Sequence, residues 1–299
     1  MIAPAESGAL ASTLHRGLQA AAPLLLAASG ELLCERAGLL NIGVEGTMLM
    51  GALAAVLAGW ASGSALVGVV AAAAAGATVG AIYAAWTVSA KRDMIVTGLG
   101  INLAALGTSG IVIERVEAAC GRIIPPGLPS VAGIDALLPL ALAGVIALRL
   151  GLWRTRPGLA LRAVGENPEA ADTAGVRVAV VRWTAALVGS ALSGLGGAYL
   201  SIVMTRGFQE NMTGGRGYLA LALVILGRWS PFGVLLAALM FGMLDALQVT
   251  LQPSLGSAAR LLYPALLALP YVMTLAALSR FTGRARPPAA LGQVYDRGR

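Results

Sequence analysis

The stretch Ala65-Leu-Val-Gly-Val-Val-Ala-Ala-Ala-Ala-Ala-Gly-Ala-Thr-Val-Gly-Ala-Ile-Tyr-Ala-Ala-Trp-Thr-Val88 contains no charged side chain. It exceeds the roughly 20 consecutive apolar residues that a helix needs to cross the hydrocarbon of a bilayer. Lys91, Arg92 and Asp93 follow, and a second apolar run, Met94 to Ile113, then begins. Cytoplasmic loops carry the excess of Lys and Arg, so this pattern reads as two antiparallel spans joined at the inner face.

The pattern recurs on both sides of this pair. Upstream lie Gly46 to Trp60 and Leu18 to Leu33. Downstream, the polar stretch Glu114 to Ile134 falls outside, Ala136 to Leu148 returns to the inner face, and Trp183 to Met204 crosses outward. Gly217 to Leu226 supplies only half a span and closes at Gly227-Arg-Trp-Ser-Pro231; Phe232 to Thr250 and Leu261 to Leu278 complete the series. Alternation predicts an all-α polytopic membrane protein of about nine spans, within a range of roughly eight to ten, with the N-terminus outside. Leu18 to Leu33 is the least determined: if it is broken or re-entrant, the count falls and the N-terminus moves inside. Gly38, Gly43 and Gly46 interrupt the next apolar run and predict a broken or re-entrant segment near 38–46.

Composition agrees with this reading. Hydrophobic residues make up 58% of the chain and charged residues 12%, against about 25% charged residues in a soluble domain. The net charge of +7 would suit a nucleic-acid partner, but its placement argues against one. Arg149, Arg154, Arg156, Arg162, Arg177 and Arg182 surround one hydrophilic segment, and Arg280, Arg284, Arg286, Arg297 and Arg299 crowd the C-terminal tail. Both segments are expected in the cytoplasm. The whole chain, 1–299, reads as one transmembrane domain with a cytoplasmic loop at 154–182 and a basic tail at 280–299. Cys34 and Cys120 are expected to be unpaired. No cleavable leader pattern is visible through Arg16, so the first apolar segment is expected to be retained. Gly76-x-x-x-Gly80 and Ser190-x-x-x-Gly194, followed by Gly196-Gly197, have the small-residue spacing that lets helix backbones approach closely in lipid. Chance explains it equally well in a chain with 39 glycines.

The cytoplasmic loop carries the functional signal. It runs Gly158-Leu-Ala-Leu-Arg-Ala-Val-Gly-Glu-Asn-Pro-Glu-Ala-Ala-Asp-Thr-Ala-Gly175. Asn167 suits the cap, Pro168 the first helical position, and Glu169 and Asp172 the positive end of the helix dipole. Gly175 suits the left-handed stop. A helix over 168–174 makes about two turns, roughly 10 Å long. Alone it would not be stable in water, so neighbours or a partner must hold it. Its exposed face is expected to be Ala170, Ala171 and Ala174, small enough to enter a groove on another protein; a capped connector on the membrane surface is the competing reading.

Glu169-Ala-Ala with Gly175 resembles the E-A-A-x-x-x-G loop of ABC importer permeases, whose coupling helix docks on the ATPase subunit. The longer segment Arg162-Ala-Val-Gly-Glu-Asn-Pro-Glu-Ala-Ala171 with Gly175-Val176 resembles permeases for nucleosides and simple sugars. Glu35-Arg-Ala-Gly-Leu-Leu-Asn-Ile-Gly-Val-Glu-Gly-Thr-Met-Leu-Met-Gly51 is similar to the N-terminal signature of the nucleoside branch. Glu210-Asn-Met-Thr-Gly-Gly-Arg-Gly-Tyr-Leu-Ala-Leu-Ala222 with Gly227-Arg-Trp-Ser-Pro231 adds a third match. In order and over almost the whole chain, these resemble bacterial nucleoside ABC importer permeases in the shorter of their two paired forms, within the branched-chain amino acid and ribose permease superfamily.

The resemblance implies Arg162, Gly165, Glu166, Asn167, Pro168, Glu169, Ala170, Ala171 and Gly175 at the ATPase contact. It also implies three protein partners: a separate ABC ATPase, a second paralogous permease and an extracytoplasmic substrate-binding protein. The setting is the bacterial cytoplasmic membrane, with lipid around the spans. No G-x-x-x-x-G-K-[ST] loop is present in the sequence, so ATP and Mg are expected in the partner chain and no cofactor in this one. One histidine and two distant cysteines argue against a metal site or an enzyme.

Polar residues at membrane depth are costly unless they face protein or water. Asn41, Glu45 and Asn102, with Gln209 and Asn211 on the outer side, are therefore the candidates for a substrate path. For Asn41 and Glu45 the alternative is stabilisation of a helix break; for Asn102 it is an interhelical hydrogen bond. Asp245 is expected to reach water or Arg260, and Glu31 and Glu35 to form a local ion pair with Arg36. The competing function is an ion- or proton-coupled secondary transporter using Glu45 and Asp245. Within the ABC class, simple sugars and branched-chain amino acids stand beside nucleosides as cargo.

Overall fold

The computed structural model describes residues 4–131, 134–251 and 286–296, together with residues 268, 272 and 276. Its elements are α1 (Pro4–Arg36), α2 (Val44–Ser62), α3 (Ala65–Ala84), α4 (Met94–Cys120), a two-stranded ribbon, then α5 (Leu137–Arg154), α6 (Arg156–Glu166), α7 (Pro168–Thr173), α8 (Val178–Ala198), α9 (Arg216–Leu226) and α10 (Pro231–Leu251). The ribbon pairs Ser130 with Asp135 and Val131 with Ile134, antiparallel.

Among the described residues, seven helices are long and apolar enough to cross a bilayer: α1 from Ser12, α2, α3, α4, α5, α8 and α10. Helix α9 has 11 residues and is about 16 Å long, roughly half the hydrocarbon thickness. These elements match eight of the nine expected spans, the half-span included. The ninth, Leu261 to Leu278, falls almost wholly outside the described residues. Helix α1 is continuous through Pro23, which costs it one backbone hydrogen bond but does not break it. The uncertain first segment is therefore an unbroken helix.

Helices α1, α2 and α8 bury most of their surface, whereas α3, α4 and α5 leave most of theirs open. Val96, Leu99, Leu103 and Leu106 of α4 are exposed, as suits a face turned to lipid or to another chain. The small-residue spacing has a structural cause. A Cβ at Gly80 would lie 2.6 Å from the Ala186 carbonyl oxygen, and Cβ atoms at Gly76 and Gly194 would collide with the Ser190 and Ala72 carbonyls. The backbones of α3 and α8 are thus in contact along a seam that no larger residue fits. Helices α3 and α8 each end in a π-helical turn, at Ala85–Ser89 and Tyr199–Met204.

Candidate translocation and coupling sites

Helix α1 ends at Arg36 and α2 starts at Val44. The connecting segment doubles back along α1, since the Asn41 N–H donates to the Glu31 carboxylate at 3.0 Å. Five residues of helix, about 7.5 Å, separate Glu31 from Arg36, so the non-helical chain re-enters the bundle to that depth. This is the break expected near 38–46. Asn41 also accepts the Gly43 N–H through its Oδ1 at 3.1 Å, bridging the break to the start of α2.

A second interruption meets the first. The chain before α9 is irregular, with left-handed Asn211, Gly214 and Gly215. The Glu45 carboxylate accepts the Gly215 N–H at 2.7 Å and the Gly217 N–H at 2.6 Å. One acidic group in the first turn of α2 thereby accepts two N–H groups at the start of α9 and faces the positive ends of both helix dipoles. Gly217 is required here, because a Cβ would lie 2.5 Å from the Glu45 backbone. Asn102 of α4 closes the junction: its Oδ1 accepts the Gly46 N–H at 2.8 Å, while its Nδ2 donates to the Ile42 carbonyl at 3.0 Å and the Tyr218 hydroxyl at 2.8 Å.

Asn41, Glu45 and Asn102 are thus brought together, and each is buried. All three stabilise the meeting of two discontinuous elements, an arrangement that places backbone polar groups at membrane depth without exposing them to lipid. Two buried atoms in this region, Glu31 Oε2 and Asn41 Nδ2, have no hydrogen-bond partner among the described residues. Gln209 and Asn211 are separate: both are exposed in the irregular segment before α9.

The polar groups flanking the junction do not behave as the sequence suggests. Glu31 takes the Asn41 N–H. The Glu35 carboxylate accepts the Trp229 indole N–H, and Arg36 Nε donates to the Trp229 carbonyl at 2.9 Å. Among the described residues no close ion pair joins Glu31 or Glu35 to Arg36, and three other contacts take its place. The two to Trp229 hold the turn between α9 and α10, where Arg228 and Trp229 both have positive φ, 55° and 51°. Two quoted stretches, Glu35-Arg36 and Gly227 to Pro231, are therefore one structural unit. Asp245 faces a cavity of about 60 Å³ with Arg216 as its basic neighbour; Arg260 lies outside the described residues.

At the same end of the bundle as Arg36, Trp153 collects three guanidinium groups. Arg36, Arg149 and Arg162 lie 5.6, 5.2 and 5.4 Å from its ring centre, within cation–π range. Arg162, Gly165 and Glu166 belong to α6, a helix not anticipated in the sequence. The signal for it is Thr155-Arg156-Pro157: Thr155 accepts the Gly158 N–H at 3.2 Å, and Pro157 occupies the first turn. A Cβ on Gly165 would collide with the Arg36 carbonyl, so α6 abuts the end of α1.

Helix α7 forms as its sequence predicts. Asn167 accepts the Ala170 N–H at 2.9 Å, and Gly175 has φ of 88°. The face assignment needs one correction. Ala171 is 4% exposed and packs with Val164 and Val178, while Glu169, Ala170, Thr173 and Ala174 are exposed. Alanine gives no hydrophobic contrast, so the inward position was not legible from residue type. Cys34 and Cys120 are both free. Asp135 is a further residue that sequence reasoning missed: it accepts the Tyr199 hydroxyl at 2.7 Å and the Leu138 N–H at 3.2 Å. These bonds tie the ribbon to the π-helical turn that ends α8 and cap α5.

Comparison with known proteins agrees with this architecture. The family described as branched-chain amino acid transport system / permease component matches residues 13–278. The guanosine ABC transporter permease protein NupQ of Bacillus subtilis is 34% identical over 93% of this chain and 94% of its own. The putative glucose ABC transporter permease protein TsgC13 of Haloferax volcanii is 35% identical over 96% and 98%. The nucleoside ABC transporter permease protein NupC of Lactococcus lactis subsp. cremoris is 32% identical over 91% and 93%. No solved structure gives a significant match. The chain is a multi-pass membrane protein and belongs to the branched-chain amino acid transport system permease family.

Proposed function

We propose that the chain is the transmembrane permease subunit of an ATP-driven importer that carries nucleosides inward across a bacterial cytoplasmic membrane by alternating access. The observation that carries this reading is α7: a capped, six-residue helix beside the Arg-rich inner end of the bundle, presenting Glu169, Ala170, Thr173 and Ala174. Small exposed side chains at a fixed position suit a groove on a separate ATPase, which would bind and hydrolyse ATP with Mg. A second, paralogous permease would cover part of the open apolar face of α4 and complete the path between the two chains. An extracytoplasmic binding protein would deliver cargo near Gln209 and Asn211. Nucleosides are favoured over sugars by the Asn41-Ile-Gly-Val-Glu-Gly46 stretch and by the names of two relatives.

The Glu45 carboxylate is engaged by two backbone N–H groups, which accounts for an acidic side chain at this depth without a coupling ion. Deleting Asn167–Gly175 is expected to abolish both guanosine uptake and co-purification of the ATPase while the chain stays in the membrane. A deletion variant that still transports would overturn the coupling assignment. Competition of labelled guanosine uptake by unlabelled nucleosides, glucose and leucine then assigns the cargo.

A further inference from the structure

The segment 288–296 crosses the inner end of the bundle and touches five elements. Ala290 N–H donates to the Gly165 carbonyl at 2.9 Å, and Gly292 N–H to the Gly38 carbonyl at 3.1 Å. Arg182, 2% exposed, donates through Nη1 to the Gln293 carbonyl at 2.9 Å and through Nε to the Ala37 carbonyl at 3.3 Å. The Tyr295 hydroxyl donates to Asp172 of α7 at 3.1 Å. Lys91, in the turn between α3 and α4, pairs with Asp296. Taken in order, the segment joins α6, the α1–α2 break, α8, α7 and the α3–α4 turn.

Helix α7 is too short to hold its own place. Its inward side chain, Ala171, contributes little apolar area, and the Tyr295 ring packs against the same small cluster. A push on α7 would therefore meet the tail directly. Gly292 passes that push to Gly38, which lies in the break that also holds Asn41 and leads to Glu45. Helices α6 and α8 also pack on α7 through Val164 and Val178, and the tail adds a side-chain hydrogen bond to α7 and a backbone one to the break.

We propose that Pro288–Asp296 is a strap that positions the coupling helix and transmits its displacement to the α1–α2 break. Tyr295 is the positioning residue at the α7 end, and Gly292 the link at the other. The inference rests on the coupling role given to α7 above and adds a mechanical route from it to the membrane interior.

The test uses the complete importer reconstituted in liposomes, with three permease chains compared: wild type, a chain ending at Pro287, and Tyr295→Phe. Guanosine uptake, ATP hydrolysis, retention of the ATPase and thermal stability are measured for each. Tyr295→Phe keeps the ring and every backbone bond, so its folding does not depend on the idea. It is expected to raise ATP hydrolysed per guanosine imported about fivefold, the factor that one lost hydrogen bond supplies. The truncation is expected to raise that ratio roughly tenfold or more, with the ATPase still bound. An unchanged ratio in Tyr295→Phe, or a fall in thermal stability with the ratio unaltered, overturns the strap and leaves the coupling helix standing. A wild-type chain that retains no ATPase overturns the coupling reading and the strap together.

Discussion

Along the α3–α8 seam, Gly76, Gly80 and Gly194 bring backbone against backbone, with only the small Ser190 side chain beside Gly80. At the junction of α2 and α9 the contact is made by Glu45, Asn102 and Tyr218, through bonds of 2.6–2.8 Å. Lipid tails are as apolar as the side chains facing them, so close packing and hydrogen bonds, rather than the hydrophobic effect, must hold such helices together. The seam uses the first means, and the junction adds the second to a close approach of its own at Gly217. A close-packed seam has one arrangement, because any slide drives carbonyls into Cα atoms. A junction of a few directional bonds can exchange one set of partners for another at modest cost. The difference assigns the seam to the rigid part of the molecule and the junction to the part able to move.

The largest effect is expected at the seam. Gly194→Leu would force a side chain into the α3 backbone at Ala72, costing about 3 kcal/mol. Detergent-solubilised protein should show a large fall in thermal stability, with transport lost only in proportion to folded protein. Glu45→Ala is expected to cost less, about 2 kcal/mol, by leaving one buried and one part-buried N–H group without an acceptor. Uptake per folded molecule should nevertheless fall steeply, and Glu45→Gln should recover part of it. Equal losses of stability and no selective loss of transport would break the contrast between the two regions. Tyr218→Phe removes one bond to Asn102 and should cost about 0.6 kcal/mol. Its measurable consequence would be altered uptake kinetics with near-normal thermal stability.

Much of this was legible in the sequence because it depends on local pattern. Apolar run length located the spans, and the half-length of α9 followed from Gly227-Arg-Trp-Ser-Pro231. Asn167 and Gly175 act within a few residues of themselves, so their roles could be read directly. The three polar residues Asn41, Glu45 and Asn102 stood out by chemistry, but their partners did not. Glu45 meets Gly215 and Gly217 far along the chain, and no spacing rule links those positions. The pairing of Glu35 with Trp229 was hidden for the same reason, and the adjacent Arg36 offered a nearer partner. The tail read as a basic inner-face signal, whereas its hydrogen bonds are made mainly by backbone groups that carry no residue-type signature. Ala171 shows the opposite limit: a local feature whose side chain is too plain to reveal its direction.

The position of Lys91 has a practical consequence for labelling chemistry. It is the single lysine of the chain, and its amine is engaged by Asp296 at the end of the tail. An amine-acylating reagent therefore has one internal target, and its rate of attack depends on how often that amine is released. Mass spectrometry of a single peptide would report tail undocking, with the other side chains of this chain silent.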